Sequence, residues 1–167
     1  SDLAAAVTPS EGAHRLEQTG PSDRSDADAG AVTVTDLRVI VANLSKDDPD
    51  GLSARMDALA DEGADLYLFA EYQPGADAVA ARQLGSTHPG RITEPDPFWK
   101  GMAIWSRYPL TPMTVPSTTL IAPILAAKIE TPAGPLLVVN LHPPPPLSPE
   151  MASIRDREVH RAAALIQ

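Results

Sequence analysis

The chain has no cysteine, and only two Trp, three Tyr and two Phe among its 167 residues. Without cysteine there is no disulfide scaffold, no thiolate nucleophile and no cysteine-ligated zinc site, and the redox compartment is left open. So few aromatics imply a small core built from Ala, Val and Leu. Basic residues are also scarce: 13 Lys and Arg stand against 22 Asp and Glu, giving a net charge of −9. Tight, non-specific binding of a nucleic-acid backbone draws on cationic residues that release counterions, so this balance speaks against it. It does not speak against cleaving phosphoesters. No apolar run approaches the roughly 18 residues of a membrane span, and no solenoid repeat is visible. What is present is a 43% hydrophobic composition, too rich for a chain disordered throughout, with 18 Pro and ten Gly that imply much loop. Because the first residue is Ser, the chain is expected to be a piece of something longer.

Ser1 to Thr35 carry Asp2, Glu11, Glu17, Asp23, Asp26 and Asp28 against Arg15 and Arg24, with no aromatic and no sustained apolar period. That segment is predicted to be a disordered acidic linker. Leu37 to Ala42 is a β-branched apolar run of strand length ending at Asn43, expected to be a mostly buried strand. Asp50 can cap a helix whose Leu52, Met56, Leu59 and Ala60 share one face and whose end is Gly63. Leu66 to Ala70 is a second buried run, stopping at Glu71, so a βαβ-like layer follows. A helix is predicted over Ala76 to Leu84, a surface loop over Gly85 to Lys100, and strands over Gly101 to Ser106, Ile124 to Glu130 and Leu136 to Leu141. The turn Thr131 to Pro135 makes the last two an antiparallel hairpin in a mixed sheet. Pro143 to Pro146 cannot enter a helix or central strand. Ser148 then caps a final helix with Met151, Ile154, Val159, Ala162, Leu165 and Ile166 inward.

Three apolar strands end in polar residues that their neighbours do not predict: Asn43, Glu71, and His142 with Asn140 just before it. Ligands gather at such strand ends in layered α/β proteins. A carboxylate beside an amide supplies hard oxygens and a hydrogen-bond donor, which suits Mg²⁺ with phosphate. Read singly, Asn43 is equally a turn residue, Glu71 a solvated strand end and His142 a structural histidine. Arg155, Arg157 and Arg161 read as a solvated helix face beside Asp156 and Glu158, and Trp105, inside an apolar strand, as core. Trp99 can stack on a base or a lipid headgroup, and His14 and His88 invite no assignment.

The order of these features carries more than any one of them. Leu37-Arg38-Val39-Ile40-Val41-Ala42-Asn43, Asp65-Leu66-Tyr67-Leu68-Phe69-Ala70-Glu71, Gly101-Met102-Ala103-Ile104-Trp105-Ser106-Arg107-Tyr108-Pro109-Leu110 and Leu137-Val138-Val139-Asn140-Leu141-His142 together resemble the endonuclease/exonuclease/phosphatase superfamily. That family has the fold of pancreatic deoxyribonuclease. His142 followed by four prolines and a helix with Arg155-Asp156 resembles a bacterial membrane-associated branch. The resemblance covers Leu37 to Gln167 and implies an α/β fold, a mixed-sheet half of a four-layer α/β sandwich, over residues 36–167. It also implies that Glu71 and Asn43 hold Mg²⁺ or Mn²⁺, that Asn43 and Asn140 bind the substrate phosphate, and that His142 with Glu71 serves catalysis. The family's Gly-Asp-Phe-Asn and Ser-Asp-His blocks have no counterpart here, so the carboxy-terminal half is expected to be absent and the fragment inactive by itself.

The implied activity is phosphodiester or phosphomonoester hydrolysis by activated water, on nucleic acid, a phospholipid headgroup or a small phosphate ester. The implied setting is extracytoplasmic, with a membrane tether amino-terminal to residue 1. The alternative is a non-catalytic extracytoplasmic interaction domain that retains the fold. A half-sandwich is also expected to expose the strands Leu37 to Ala42, Leu66 to Ala70 and Leu136 to Leu141 as an apolar surface prone to self-association.

Overall fold

The computed structural model describes residues 36–44, 51–115 and 123–164. Its elements are β1 (Val39–Asn43), α1 (Leu52–Asp61), β2 (Leu66–Ala70), α2 (Pro74–Leu84), β3 (Gly90–Glu94), β4 (Met102–Ser106), β5 (Leu110–Met113), β6 (Leu125–Thr131), β7 (Gly134–Asn140) and α3 (Pro149–Ala164). The predicted linker Ser1 to Thr35, the Asp50 cap, and Leu165 and Ile166 lie outside the described residues.

Central strand β2 is buried along its whole length, which is why five apolar residues in a row suit it. Its alternation sorts the core into two layers. Leu66, Leu68 and Ala70 face one way and pack with Met102 and Ile104 of β4, Leu125, Ala127 and Ile129 of β6 and Val138 of β7. Tyr67 and Phe69 face the other way and pack with Trp105, Met56 of α1, and Ala76, Ala80 and Leu84 of α2. Each such Leu, Met or Phe taken fully from water contributes about 1.5–3 kcal/mol. Alanine dominates the buried face of α2 because the helix lies close over Phe69 and Tyr72.

One sheet has the order β1-β2-β4-β3, with β1 and β2 parallel across α1 and the other pairs antiparallel. The second sheet is antiparallel, β5-β6-β7, and lies face to face on the first. The fold is α/β, with helices, a mixed sheet and an antiparallel sheet in successive layers. In the β6–β7 hairpin Thr131 pairs with Gly134, leaving Pro132 and Ala133 as the turn.

Several expectations need correction. The hairpin belongs to its own sheet and not to the mixed one, so the chain already holds strands of both packed sheets. β2 is therefore covered on both faces, and the expected apolar surface is reduced to half-buried Leu136, Leu137 and Val139 of β7 and to the edge strand β1. There Val39 is 42% and Val41 73% exposed, whereas a mostly buried strand was expected, because β1 is the edge strand of its sheet and the second sheet packs chiefly over β4 and β3. The supposed loop Gly85 to Lys100 contains β3, whose alternating Arg91, Ile92 and Thr93 pair with β4. β5 was not anticipated because Pro112 interrupts it, which an edge strand tolerates. In α3, Val159 is 46% exposed, Met151 and Ile154 are half-buried, and the buried positions are Glu158 and Ala162. α1 starts at Gly51 with no side-chain cap, and Gly63, with φ of 61°, takes the left-handed turn beyond its end.

Candidate functional site

Adjacent parallel strands β1 and β2 run in register, with Asn43 opposite Ala70. Both side chains that follow the apolar runs therefore emerge at one rim. Asn43 Nδ2 donates to Glu71 Oε1 at 2.8 Å, and His142 Nε2 lies 3.6 Å from the same oxygen. The Glu71 and His142 side chains are 20% and 28% exposed, so the group is partly sheltered and still open to solvent. His142 arrives from the other sheet, two residues beyond the end of β7.

Glu71 stands in the left-handed region, with φ of 53°, and it is the one non-glycine residue described that does so. Such a backbone costs on the order of 1–3 kcal/mol and survives only where its surroundings over-determine it. Here they do. Leu44 N–H donates to the Ala70 carbonyl, Tyr72 N–H to the Gly101 carbonyl, and Asp96 N–H to the Tyr72 carbonyl. At Gly101 a Cβ would stand 1.8 Å from the Tyr72 carbonyl oxygen, so no side chain fits. The Tyr72 ring is fully buried, its hydroxyl donating to Asp77 Oδ1 at 3.0 Å and accepting from Trp105 Nε1 at 3.3 Å. Burial pushes that phenol well above its ordinary value, with Asp77 adding to the effect, so it stays neutral. On the other side Arg55 Nη2 donates to the Leu44 carbonyl, fixing the chain just after Asn43.

Asn140 takes another place than its expected one on the phosphate. It is 5% exposed and its Nδ2 donates to the Phe69 and Ala103 carbonyls, each at 3.0 Å. Both amide hydrogens are thus used inside the protein, as a buried amide requires. The residue ties the end of β7 to β4 and to β2 two residues before Glu71. Trp105 is core, as expected, with the Arg91 guanidinium 5.3 Å from its ring centroid. Arg155 pairs with Asp156 and Arg157 with Ser153, consistent with a solvated helix face.

Sequence reading missed Gly101, Asp96, Tyr72 and Arg55 as supports of the site. Only Gly101 left a signal, standing at the head of a block already singled out. His88, given no assignment, is 2% exposed, with Nε2 3.0 Å from the Ala64 carbonyl and Nδ1 2.8 Å from Thr87 Oγ1. A carbonyl only accepts, so Nε2 carries the hydrogen.

Among the described residues no three His, Asp or Glu side chains cluster as a preformed metal cage. The donor set at the rim is one carboxylate, one amide whose Oδ1 is a hard oxygen, and an imidazole. That set fits Mg²⁺ or Mn²⁺, which keep several waters and need only one or two protein ligands beside substrate phosphate. Two surface hollows, of about 270 and 210 Å³, lie elsewhere, lined by Leu136 and Leu137 and by Ile92 and Ile124. No helix among the described residues is long and apolar enough to cross a membrane.

Solved structures of low sequence identity share the fold, among them one of the endonuclease/exonuclease/phosphatase family. D. rerio TDP2 humanized by 14 mutations superposes with a TM-score of 0.58 at 16% identity, over 74% of this chain and 53% of that one. D. rerio TDP2 complexed with a single-strand DNA product gives 0.57 at 16% identity, over 74% and 52%. An endonuclease/exonuclease/phosphatase family protein from Leptotrichia buccalis gives 0.52 at 9% identity, over 75% and 63%. The chain thus spans between about half and under two-thirds of these structures. No family model matches the sequence, and no curated protein matches it.

Proposed function

We propose that the chain contributes the Glu71, Asn43 and His142 part of a divalent-metal phosphoesterase site that hydrolyses a phosphodiester or phosphomonoester with water. The observation that carries this reading is the convergence of Asn43 and His142 on one Glu71 carboxylate oxygen, with Glu71 held in a strained backbone. Strain of that kind is concentrated at sites where geometry serves chemistry. The superfamily fold supports a hydrolase, and the single-strand DNA product on one TDP2 neighbour supports nucleic acid among the substrate classes.

In this reading Glu71 and the Asn43 oxygen hold Mg²⁺ or Mn²⁺, which when bound polarises a phosphoryl oxygen. Asn43 orients the Glu71 carboxylate through its amide. His142 faces the same carboxylate and is placed to hand a proton to, or hydrogen-bond, a phosphate oxygen at the rim. Asn140 acts as a positioning residue. Residues 1–167 alone are proposed to bind metal weakly and to lack hydrolytic activity, because one carboxylate and one amide supply few of six ordered oxygens. An extracytoplasmic setting with a membrane tether before residue 1 remains part of the proposal, on the strength of the His142 to Pro146 sequence and the helix after it.

The test is paramagnetic broadening by Mn²⁺ of backbone amide resonances in the 167-residue chain. Broadening centred on Asn43, Glu71 and His142, displaced by Mg²⁺ and lost in Glu71→Gln, is the expected result. Broadening centred on Asp65 and Glu62 instead, or unchanged in Glu71→Gln, overturns the reading and favours a non-catalytic interaction domain.

A further inference from the structure

The loop between β3 and β4 holds Phe98 66% exposed, with Trp99 half-buried beside it and the Lys100 ammonium 5.9 Å from the Trp99 ring centroid. A protruding phenyl on a floppy loop would need no explanation, since lone exposed apolar residues are ordinary. This one is held. Asp96 Oδ1 accepts from both Phe98 N–H, at 2.8 Å, and Lys100 N–H, at 3.3 Å, so the tip is folded around one carboxylate. Both feet of the loop are fastened to Tyr72, through Asp96 N–H and the Gly101 carbonyl, and Tyr72 directly follows Glu71. Phe98 lies two steps along the chain from Asp96, across Pro97. At a reach of about 3.6 Å per residue the ring's backbone stands within roughly 7 Å of that fastening point. The contacts that hold Glu71 in its left-handed backbone therefore also tie the Phe98 backbone to the strand end that carries Glu71.

We propose that the tip Phe98-Trp99-Lys100 is the recognition element of this site and stacks an unpaired nucleobase on Phe98, with the attached phosphate toward Lys100 and Glu71. This deepens the phosphoesterase reading and rests on it. A flat, exposed ring on a pinned backbone matches the π-face that every base presents, and a neighbouring ammonium matches its phosphate. The chain's net charge of −9 adds an argument: with little general attraction for a phosphate backbone, affinity has to come from contacts with the non-phosphate part of the substrate. A base within a duplex is already stacked and out of reach, so the substrate is a single strand or a nucleotide. A lipid surface is disfavoured because the loop around Phe98 is Glu94, Pro95, Asp96, Pro97 and Lys100. One protruding ring without a basic patch is less than the two signals that membrane attachment takes.

Trp105 is fully buried, so quenching of tryptophan fluorescence reports on Trp99 at the tip. Titration with a short oligothymidylate, the same strand made abasic, and thymidine monophosphate is expected to rank the base-bearing ligands about tenfold above the abasic one. Phe98→Ala and Phe98→Leu are expected to erase that difference, and Phe98→Tyr to keep it. Equal binding of abasic and base-bearing strands, or Phe98→Leu behaving as wild type, overturns the proposal. Co-sedimentation with phosphatidylcholine vesicles that is lost in Phe98→Ala, without a base effect, overturns it in favour of a lipid. Glu71→Gln separates the two readings: base discrimination that persists there while Mn²⁺ broadening is absent from the wild-type rim sinks the phosphoesterase reading alone. Discrimination absent while the broadening stands sinks the stacking alone.

Discussion

Strand β2 enters its sheet after Asp65 and leaves it at Glu71, two carboxylates in different surroundings. Asp65 is closed in. Its Oδ2 accepts from Arg38 N–H at 3.0 Å, its Oδ1 accepts from the Tyr108 hydroxyl at 3.2 Å, and Arg107 Nε lies 3.6 Å away. Arg107 reaches on to the Ala64 carbonyl, to which His88 also donates, so strand, helix end and loop are stapled together. Glu71 shares its oxygen with two side chains that come from elsewhere in the chain, on a backbone that resists its own residue type. The polar groups at the first end complete the fold; those at the second are held in place by it. The difference teaches where to look for chemistry: a polar residue that satisfies its neighbours in relaxed geometry is structure, and one kept in strained geometry at a partly open rim is a candidate for function.

The comparison is broken most severely at Gly101. Gly101→Ala drives a Cβ into the Tyr72 carbonyl, a backbone atom that cannot swing aside, so a loss of about 3 kcal/mol is expected, at the upper end of overpacking costs. A urea midpoint equal to wild type would show that the clamp behind Glu71 is loose. Next comes Asp65→Ala, which strips Arg38 N–H and the Tyr108 hydroxyl of their acceptor and is expected to cost about 2 kcal/mol. The Mn²⁺ response at Asn43 should survive it, and a response lost together with stability would mean that the two ends are not separate.

Glu71→Gly sharpens the contrast in the opposite direction. Glycine is at ease at φ of 53°, so the variant should gain about 1 kcal/mol in stability while losing the metal response, as expected where strain serves function. A lower melting temperature would count against strain at this position. The smallest effect is the pH dependence of the closed end. Burial, the dominant influence, holds folded His88 below its ordinary value of about 6.5, against weaker support for the charge from its hydrogen bond to Ala64 and from Asp65, with Arg107 opposing. Because the unfolded chain binds this proton more readily, the contribution is whole above about pH 6.5 and is lost as pH falls toward the lowered folded value. Urea midpoints from pH 8 to pH 5 should therefore decline below about 6.5, less so in His88→Gln, and identical slopes in both proteins would assign the decline to other groups.

How much of this was legible in the sequence follows the range of the forces involved. Apolar runs and turn residues marked out β2, β4, β6, β7 and the three helices of the described residues, although not the buried face of α3, because burial along a strand or helix face is written largely in nearest neighbours. The same runs ended at Asn43, Glu71 and His142, so the candidates themselves were visible. Pairing was not. Whether β1 lies inside a sheet or at its edge depends on how far the second sheet extends, and an edge position leaves no mark in Val39, Ile40 and Val41. β3 and β5 were hidden because Gly90, Pro112 and their polar neighbours read as turn until a partner strand supplies hydrogen bonds.

What the residues determined by themselves is the α/β class, the acidic balance, the absence of thiol chemistry and the polar ends of three strands. Only the tertiary structure decided that the Asn140 amide ties β7 to β2 and β4, that His88 is buried, and that one Glu71 oxygen meets both Asn43 and His142. Asn43 meets Glu71 across 28 residues of sequence because β1 and β2 pair in one sheet, and Asn140 meets Phe69 across 71 because the two sheets stack. That stacking is a property of the packed whole and of no local segment.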